Sequence, residues 1–238
     1  MSAPLLPPAF QLVSLHREVD AFERARRAAP RGLDDGTVYW SDRTDRLLLA
    51  VAIEPEAPRA EALRAVHVLG VAAGDALGAL VPPGLSLAFA WPGDLVLDGA
   101  RVGRVRAALG ATADAGEVPP WLVLGLEVEV EASAGTPGDE PHDRASLADS
   151  GAGEAVTAVR LAEDTARHFL GWAQRCRDEG FGPVRDAWNA RCFGRGAEAT
   201  FEVAGQRRSG VVRGLDEGGD LRVGAAALPL EAALAEQG

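Results

Sequence analysis

Ala90-Trp91-Pro92-Gly93-Asp94 is the stretch on which the fold turns, and it runs on into Leu95-Val96-Leu97-Asp98-Gly99-Ala100-Arg101. Leu85 to Trp91 reads as a strand that stops at Pro92, because proline has no N–H to give to a sheet ladder. Leu95 to Asp98 reads as a second strand. Asp98-Gly99 is a strong hairpin dipeptide, since both central residues of the favoured two-residue turn need positive φ. Arg101 to Leu109 returns as a third strand.

Toward the N-terminus, Phe10 to Leu15 is a short apolar run that predicts a strand, and Arg17 to Ala29 predicts a helix closed by Pro30 and Gly32. Thr37-Val38-Tyr39-Trp40 is β-branched and aromatic, a strand pattern. Ser41 to Asp45 is a tight polar loop, and Arg46 to Glu54 returns as a buried strand. The longest helix is expected from Arg59 to Leu80, where Leu63, Val66, Gly70, Ala73, Leu77 and Leu80 share one face. Gly70, Gly74 and Gly78 form a second row at a spacing of four. Each glycine weakens a helix by about 1 kcal/mol relative to alanine, so the row points to close approach against a sheet.

Toward the C-terminus, Trp121 to Glu131 is a further strand. Ala132 to Gly153 has no periodicity and is expected to be a flexible loop; His142 and Asp143 within it make no metal site. Val156 to Glu179 is amphipathic, with Ala162, Thr165, Phe169, Trp172 and Cys176 on one face. Pro183 opens a short helix through Trp188 to Cys192. From Gly196 on, Thr200-Phe201-Glu202-Val203, Arg208 to Arg213, Leu221-Arg222-Val223 and Ala226 to Leu230 alternate as short strands. The fold class is therefore α+β, a mixed sheet flanked by helices over residues 1–194, with a small SH3-like β-barrel over residues 195–238.

Composition bounds the chemistry. All 24 basic residues are arginine, so the chain of 238 residues contains no lysine. Any mechanism that needs a titratable side-chain amine is excluded, because arginine stays protonated in proteins. The net charge of −11 argues against nucleic acid, which needs clustered positive charge. Cys176 and Cys192 are too few for a disulfide framework or a zinc site, and no metal site is expected. Met1-Ser2-Ala3-Pro4 does not open a signal peptide, and Ala65 to Ala73 is too short to span a membrane; a cytoplasmic location with no membrane partner is the expectation.

The order of elements, together with Trp91-Pro92-Gly93-Asp94, resembles the catalytic domain of the biotin and lipoate protein ligases, a fold related to the class II aminoacyl-tRNA synthetases. Those enzymes carry Lys-Trp-Pro-Asn-Asp at a strand end, followed about ten residues later by a lysine in Lys-Leu-Ala-Gly. Here the second stretch reads Arg101-Val102-Gly103-Arg104. The Gly210-Val211-Val212-Arg213-Gly214-Leu215-Asp216 run resembles the family's C-terminal domain. The resemblance implies that Arg101 stands where the catalytic lysine contacts the acid's carboxylate and the adenylate phosphate, with Asp94 beside it.

Two further departures accompany the missing lysine. The family's Gly/Arg-rich phosphate loop is reduced here to Trp40-Ser41-Asp42-Arg43-Thr44-Asp45. The family's pocket-lining Gly-x-Gly-x-Asn strand reads Leu124-Gly125-Leu126-Glu127, with Glu127 at the asparagine. By the same resemblance, Trp40, Ser41, Trp91, Gly103, Gly125 and Glu127 would line the ligand site. Strand alternation puts Arg104 on the face opposite Arg101, so the two are not expected to make one patch.

Three functions follow as alternatives. The chain binds a small carboxylic acid such as biotin, lipoate or octanoate, a nucleotide, or a biotinyl- or lipoyl-carrier domain with its ligase chemistry altered or lost. Alternatively, it is an atypical working ligase that uses ATP and magnesium with Arg101 as the charge. Or it is a non-catalytic interaction protein. A homodimer is compatible with each.

Overall fold

The computed structural model describes residues 3–114, 116–131, 144–153 and 156–236. Seven strands make one mixed sheet: β1 (Gln11–Leu15), β2 (Thr37–Ser41), β3 (Arg46–Ile53), β4 (Leu87–Ala90), β5 (Asp94–Leu97), β6 (Ala100–Leu109) and β7 (Leu122–Glu129). Their order across the sheet is β1-β2-β3-β7-β6-β5-β4, with β1 parallel to β2 and the other pairs antiparallel. The expected hairpin joins β5 to β6, and Asp98 (φ 49°) and Gly99 (φ 87°) both take the positive φ that such a turn needs.

The helices cover the sheet on both faces. α1 (Ala21–Ala28) lies alone on one face, where Ala21, Phe22 and Ala25 pack with Tyr39, Ala50 and Val123. It starts later than Arg17 because Asp20 caps it, its carboxylate accepting from the Glu23 amide at 3.0 Å. The other face carries the main core under α2 (Arg59–Ala62), α3 (Ala65–Leu80), α4 (Ala158–Glu179) and α5 (Gly182–Ala190). The helix expected as one piece from Arg59 is thus two, broken at Leu63–Arg64. Of the three spaced glycines in α3, Gly74 alone is pressed: a Cβ there would lie 2.6 Å from the Phe89 ring, whereas Gly78 faces open space. Arg59–Leu80 is apolar and long enough to cross a membrane, and 67% of its most apolar window is buried in the molecule, which accounts for its composition.

The tail forms a second, four-stranded antiparallel sheet in the order β11-β10-β9-β8: β8 (Glu198–Val203), β9 (Gln206–Leu215), β10 (Leu221–Val223) and β11 (Ala226–Leu228), closed by α6 (Leu230–Ala235). Its Val212, Leu215, Leu221 and Leu234 join the main core. Asn189 fastens it by a reciprocal pair, donating to the Leu215 carbonyl (3.0 Å) and accepting from the Leu215 amide (2.6 Å). Arg59 pairs with Glu231.

Of the segment expected as a flexible loop, residues 132–143, with His142 and Asp143, lie outside the described residues. Residues 144–153 are held to the sheet. The Ala145 amide donates to Arg101, Leu147 to Glu129 and Ala148 to Val130, and Leu147 and Ala152 are buried. Composition gave no sign of this, because the ties are backbone hydrogen bonds.

His67 sits between the two sheets. It is 1% exposed, packs edge-on to Trp188 and near Phe181, and its Nε2 meets the Gly219 carbonyl at 3.0 Å. Nδ1 has no partner. Burial pushes its pKa down to about 4, against an ordinary 6.5, with the Gly219 bond opposing. The folded state therefore resists a proton that the unfolded chain accepts. The stability present above pH 6.5 is lost as pH falls toward 4, by on the order of 3 kcal/mol. Urea unfolding across this window should show the wild type losing that much relative to His67→Phe, which cannot titrate there. Parallel pH profiles would refute this account of His67.

Candidate functional site

One extra residue shapes the site. Leu95 stands opposite Gly103, but Val96 stands opposite Arg101, so Val102 is a bulge in β6. Val102 and Val105, three apart, therefore both enter the main core. Arg101, Arg104 and Arg106 all emerge on the α1 face. This corrects the expectation that Arg101 and Arg104 part to opposite faces: they line one cleft with Gly103, Glu127, Glu129 and Arg144.

The cleft is small, about 60 Å³, and its charges are largely answered within it. Arg101 meets Asp94 at 3.5 Å. Burial raises the Asp94 pKa, with Arg101 opposing, and Asp94 Oδ1 has no hydrogen-bond partner. Glu127 lies across the strand from Arg104, which contacts it at 3.1 Å, and Arg46 reaches it at 3.5 Å. Arg46 also pairs with Glu129 at 3.2 Å. Burial raises the Glu129 pKa, with Arg46 opposing and Glu127 adding to the rise. No ion pair involves Arg144 among the described residues.

Farther along the same face the sheet is covered by α1. Gly125 lies under Phe22 so closely that a Cβ on it would sit 2.6 Å from the ring. Arg106 lies over the Phe22 ring, 4.2 Å from its centroid, and is bracketed by Asp20 (3.3 Å) and Glu23 (3.1 Å). The space left beside Phe22, Arg106, Gly125 and Glu127 is about 10 Å³.

The remaining expected residues sit elsewhere or are engaged. Trp40 is 1% exposed in the main core, on the face away from the cleft, and Trp91 is buried there with its ring edge-on to Phe201. Ser41 is fully buried and donates to the Val19 carbonyl. Gly103 faces the core across from Val128, and a Cβ on it would strike the Glu127 carbonyl at 2.5 Å. In the short turn between β2 and β3, Arg43 pairs with Asp45 and donates to the Arg17 carbonyl. The same bond holds the Asp45 carboxyl below its usual pKa. This turn does not fit a triphosphate, since its one guanidinium is already bound and Asp42 and Asp45 would repel the anion. Among the described residues no group of three or more His, Cys, Asp or Glu side chains could hold a metal ion.

The Asp98-Gly99 turn and the run from Arg101 to Leu109 marked the strand, but sequence reasoning missed Phe22, Arg46, Glu129 and Arg144, which reach the site from four other segments.

Residues 6–190 match the model of the biotin/lipoate A/B protein ligase family. A biotin–acetyl-CoA-carboxylase ligase from Paracoccus denitrificans is 26% identical over 172 residues, 72% of this chain and 70% of that protein. A biotin protein ligase-like protein of unknown function from a Silicibacter species superimposes with a TM-score of 0.85 at 33% identity, covering 98% of this chain and 99% of that one. Biotin protein ligase from Aquifex aeolicus has the same fold, with a TM-score of 0.75 at 17% identity over 92% of this chain and 95% of that one.

The contact between Phe22 and Gly125 makes a measurable claim. Gly125→Ala should cost about 1–3 kcal/mol, because α1 must shift to admit the methyl group. On a Phe22→Ala background the same change should cost almost nothing. Urea denaturation of the four proteins gives the coupling, and additive losses would mean that the ring does not fill this space.

Proposed function

The chain belongs to the biotin/lipoate A/B protein ligase family, and from that premise we propose that it no longer activates a biotin- or lipoate-sized acid and instead binds a small carboxylate in the arginine cleft of β6. Phe22 over Gly125 carries this reading. The resemblance assigns that strand to the acid pocket, yet only about 10 Å³ remains above it. Pockets for ligands of biotin size run to about 300 Å³ or more. The adjoining cleft of about 60 Å³ takes a carboxylate head and little else.

The charges support the same reading. Arg101 stands at the lysine's position but is met by Asp94. Glu127, at the asparagine's position, draws Arg104 and Arg46. Arg144 at the cleft, which has no ion pair among the described residues, offers a planar pair of donors suited to a carboxylate. The turn that would hold a triphosphate is closed on itself by Arg43 and Asp45.

Pyrophosphate exchange with ATP and each of biotin, lipoate and octanoate should stay at background. Acetate in about tenfold excess over its dissociation constant should raise the melting temperature by roughly 2–6 °C, and Arg101→Ala should abolish that shift. Exchange above background that disappears in Arg101→Ala would establish instead a working ligase with arginine in the lysine's place. Absence of both exchange and any melting shift would leave the interaction-protein reading.

A further inference from the structure

Apart from the β6 cleft, a cavity of about 390 Å³ opens on the opposite side of the sheet from Phe22, between the end of β3, the start of α3 and the C-terminal half of α4. We propose that it binds a small organic amine, an ammonium head on an apolar body. Its volume lies within the range of small-molecule pockets, about 300–1,000 Å³. Ile53, Val68, Leu122, Phe169, Ala173 and Phe181 make an apolar floor.

The rim decides the charge of the ligand. Asp35, Glu54, Glu56 and Glu61 stand around it with Arg64 and Arg177. Arg64 meets Glu61 at 3.7 Å, donates to the Gly218 carbonyl and lies over Phe181; Arg177 donates to the neutral Gln174 amide at 2.7 Å and keeps its positive charge. Among the described residues, no ion pair neutralises Asp35, Glu54 or Glu56. Asp35 is fixed at the rim, where its carboxylate accepts from the Glu54 amide at 2.9 Å. The last turn of α4 adds the negative end of a helix dipole. Among the described residues the rim thus sets three carboxylates without an ion-pair partner against one such arginine, a net negative field that favours a cation over the anions that the β6 cleft would take. The two sites are independent, and this one does not rest on the proposed function.

Cys176 lines the cavity and Cys192 does not; both are free thiols. Burial raises both thiol pKa values, Cys192 to about 11, so alkylation is read at about pH 9. Three probes with the same chain differ only in the head: octylamine, octanol and octanoate. Octylamine at about four times its dissociation constant should slow iodoacetamide alkylation of Cys176 about fivefold and leave Cys192 unchanged. Octanol should protect less and octanoate not at all. In the double variant Glu54→Gln, Glu56→Gln, octylamine should protect no better than octanol. Melting temperatures, read in parallel, should give the same ranking should Cys176 prove too slow to alkylate. Equal protection by octanoate and octylamine, equal protection of both cysteines, or no effect of octylamine on either readout would overturn the proposal.

Discussion

β6 carries one residue more than β5 does across from it, and most of the site follows from that count. Strict alternation would send Val102 and Val105 to opposite faces, and Arg101 and Arg104 likewise. One valine or one guanidinium would then be on the wrong side. A lone guanidinium in the main core costs several kcal/mol, because nothing there replaces its water. The bulge at Val102 resolves the conflict by placing both valines inside and all three arginines outside. The partners follow from the new register: Arg104 falls opposite Glu127 and Asp94, and Arg106 falls opposite Gly125, beneath α1.

Arg106 then ties α1 to the sheet. Its side chain is only 14% exposed, stacked on Phe22 and held by both Asp20 and Glu23. A cation over an aromatic face contributes about 0.5–2 kcal/mol, and more as water is excluded. Asp20 also caps the helix that carries Phe22. Closure over Gly125 is therefore a property of the whole helix. Truncating Phe22 would open a void, but Asp20, Glu23 and Arg106 would still hold α1 in place.

Much of this was legible in the sequence. Trp91-Pro92 stops β4, Asp98-Gly99 makes the turn, and the order of strands and helices follows from local patterns. The absence of lysine needed only counting. The bulge was not legible, because a period-2 reading has no mark for one extra residue. Trp40 was misplaced for a related reason. All five residues of Thr37–Ser41 are buried, since α1 covers one face and α3 and α4 the other. An all-apolar strand does not say which of its faces borders a pocket. The contact of Phe22 with Gly125 joins segments about a hundred residues apart, and nothing in the spacing of either announces the other.

Charge at the site also responds to acid in a definite direction. The arginines keep their charge at every accessible pH, whereas burial makes Asp94 and Glu129 give theirs up earlier than exposed carboxylates do. As pH falls, the internal competitors for Arg101 and Arg46 are neutralised first, and the cleft becomes a better host for an anion that is itself still ionised. Protonation of His67 in the same direction weakens the seat of the C-terminal sheet on α3. The cleft thus gains positive field under the conditions in which the body of the protein loses stability.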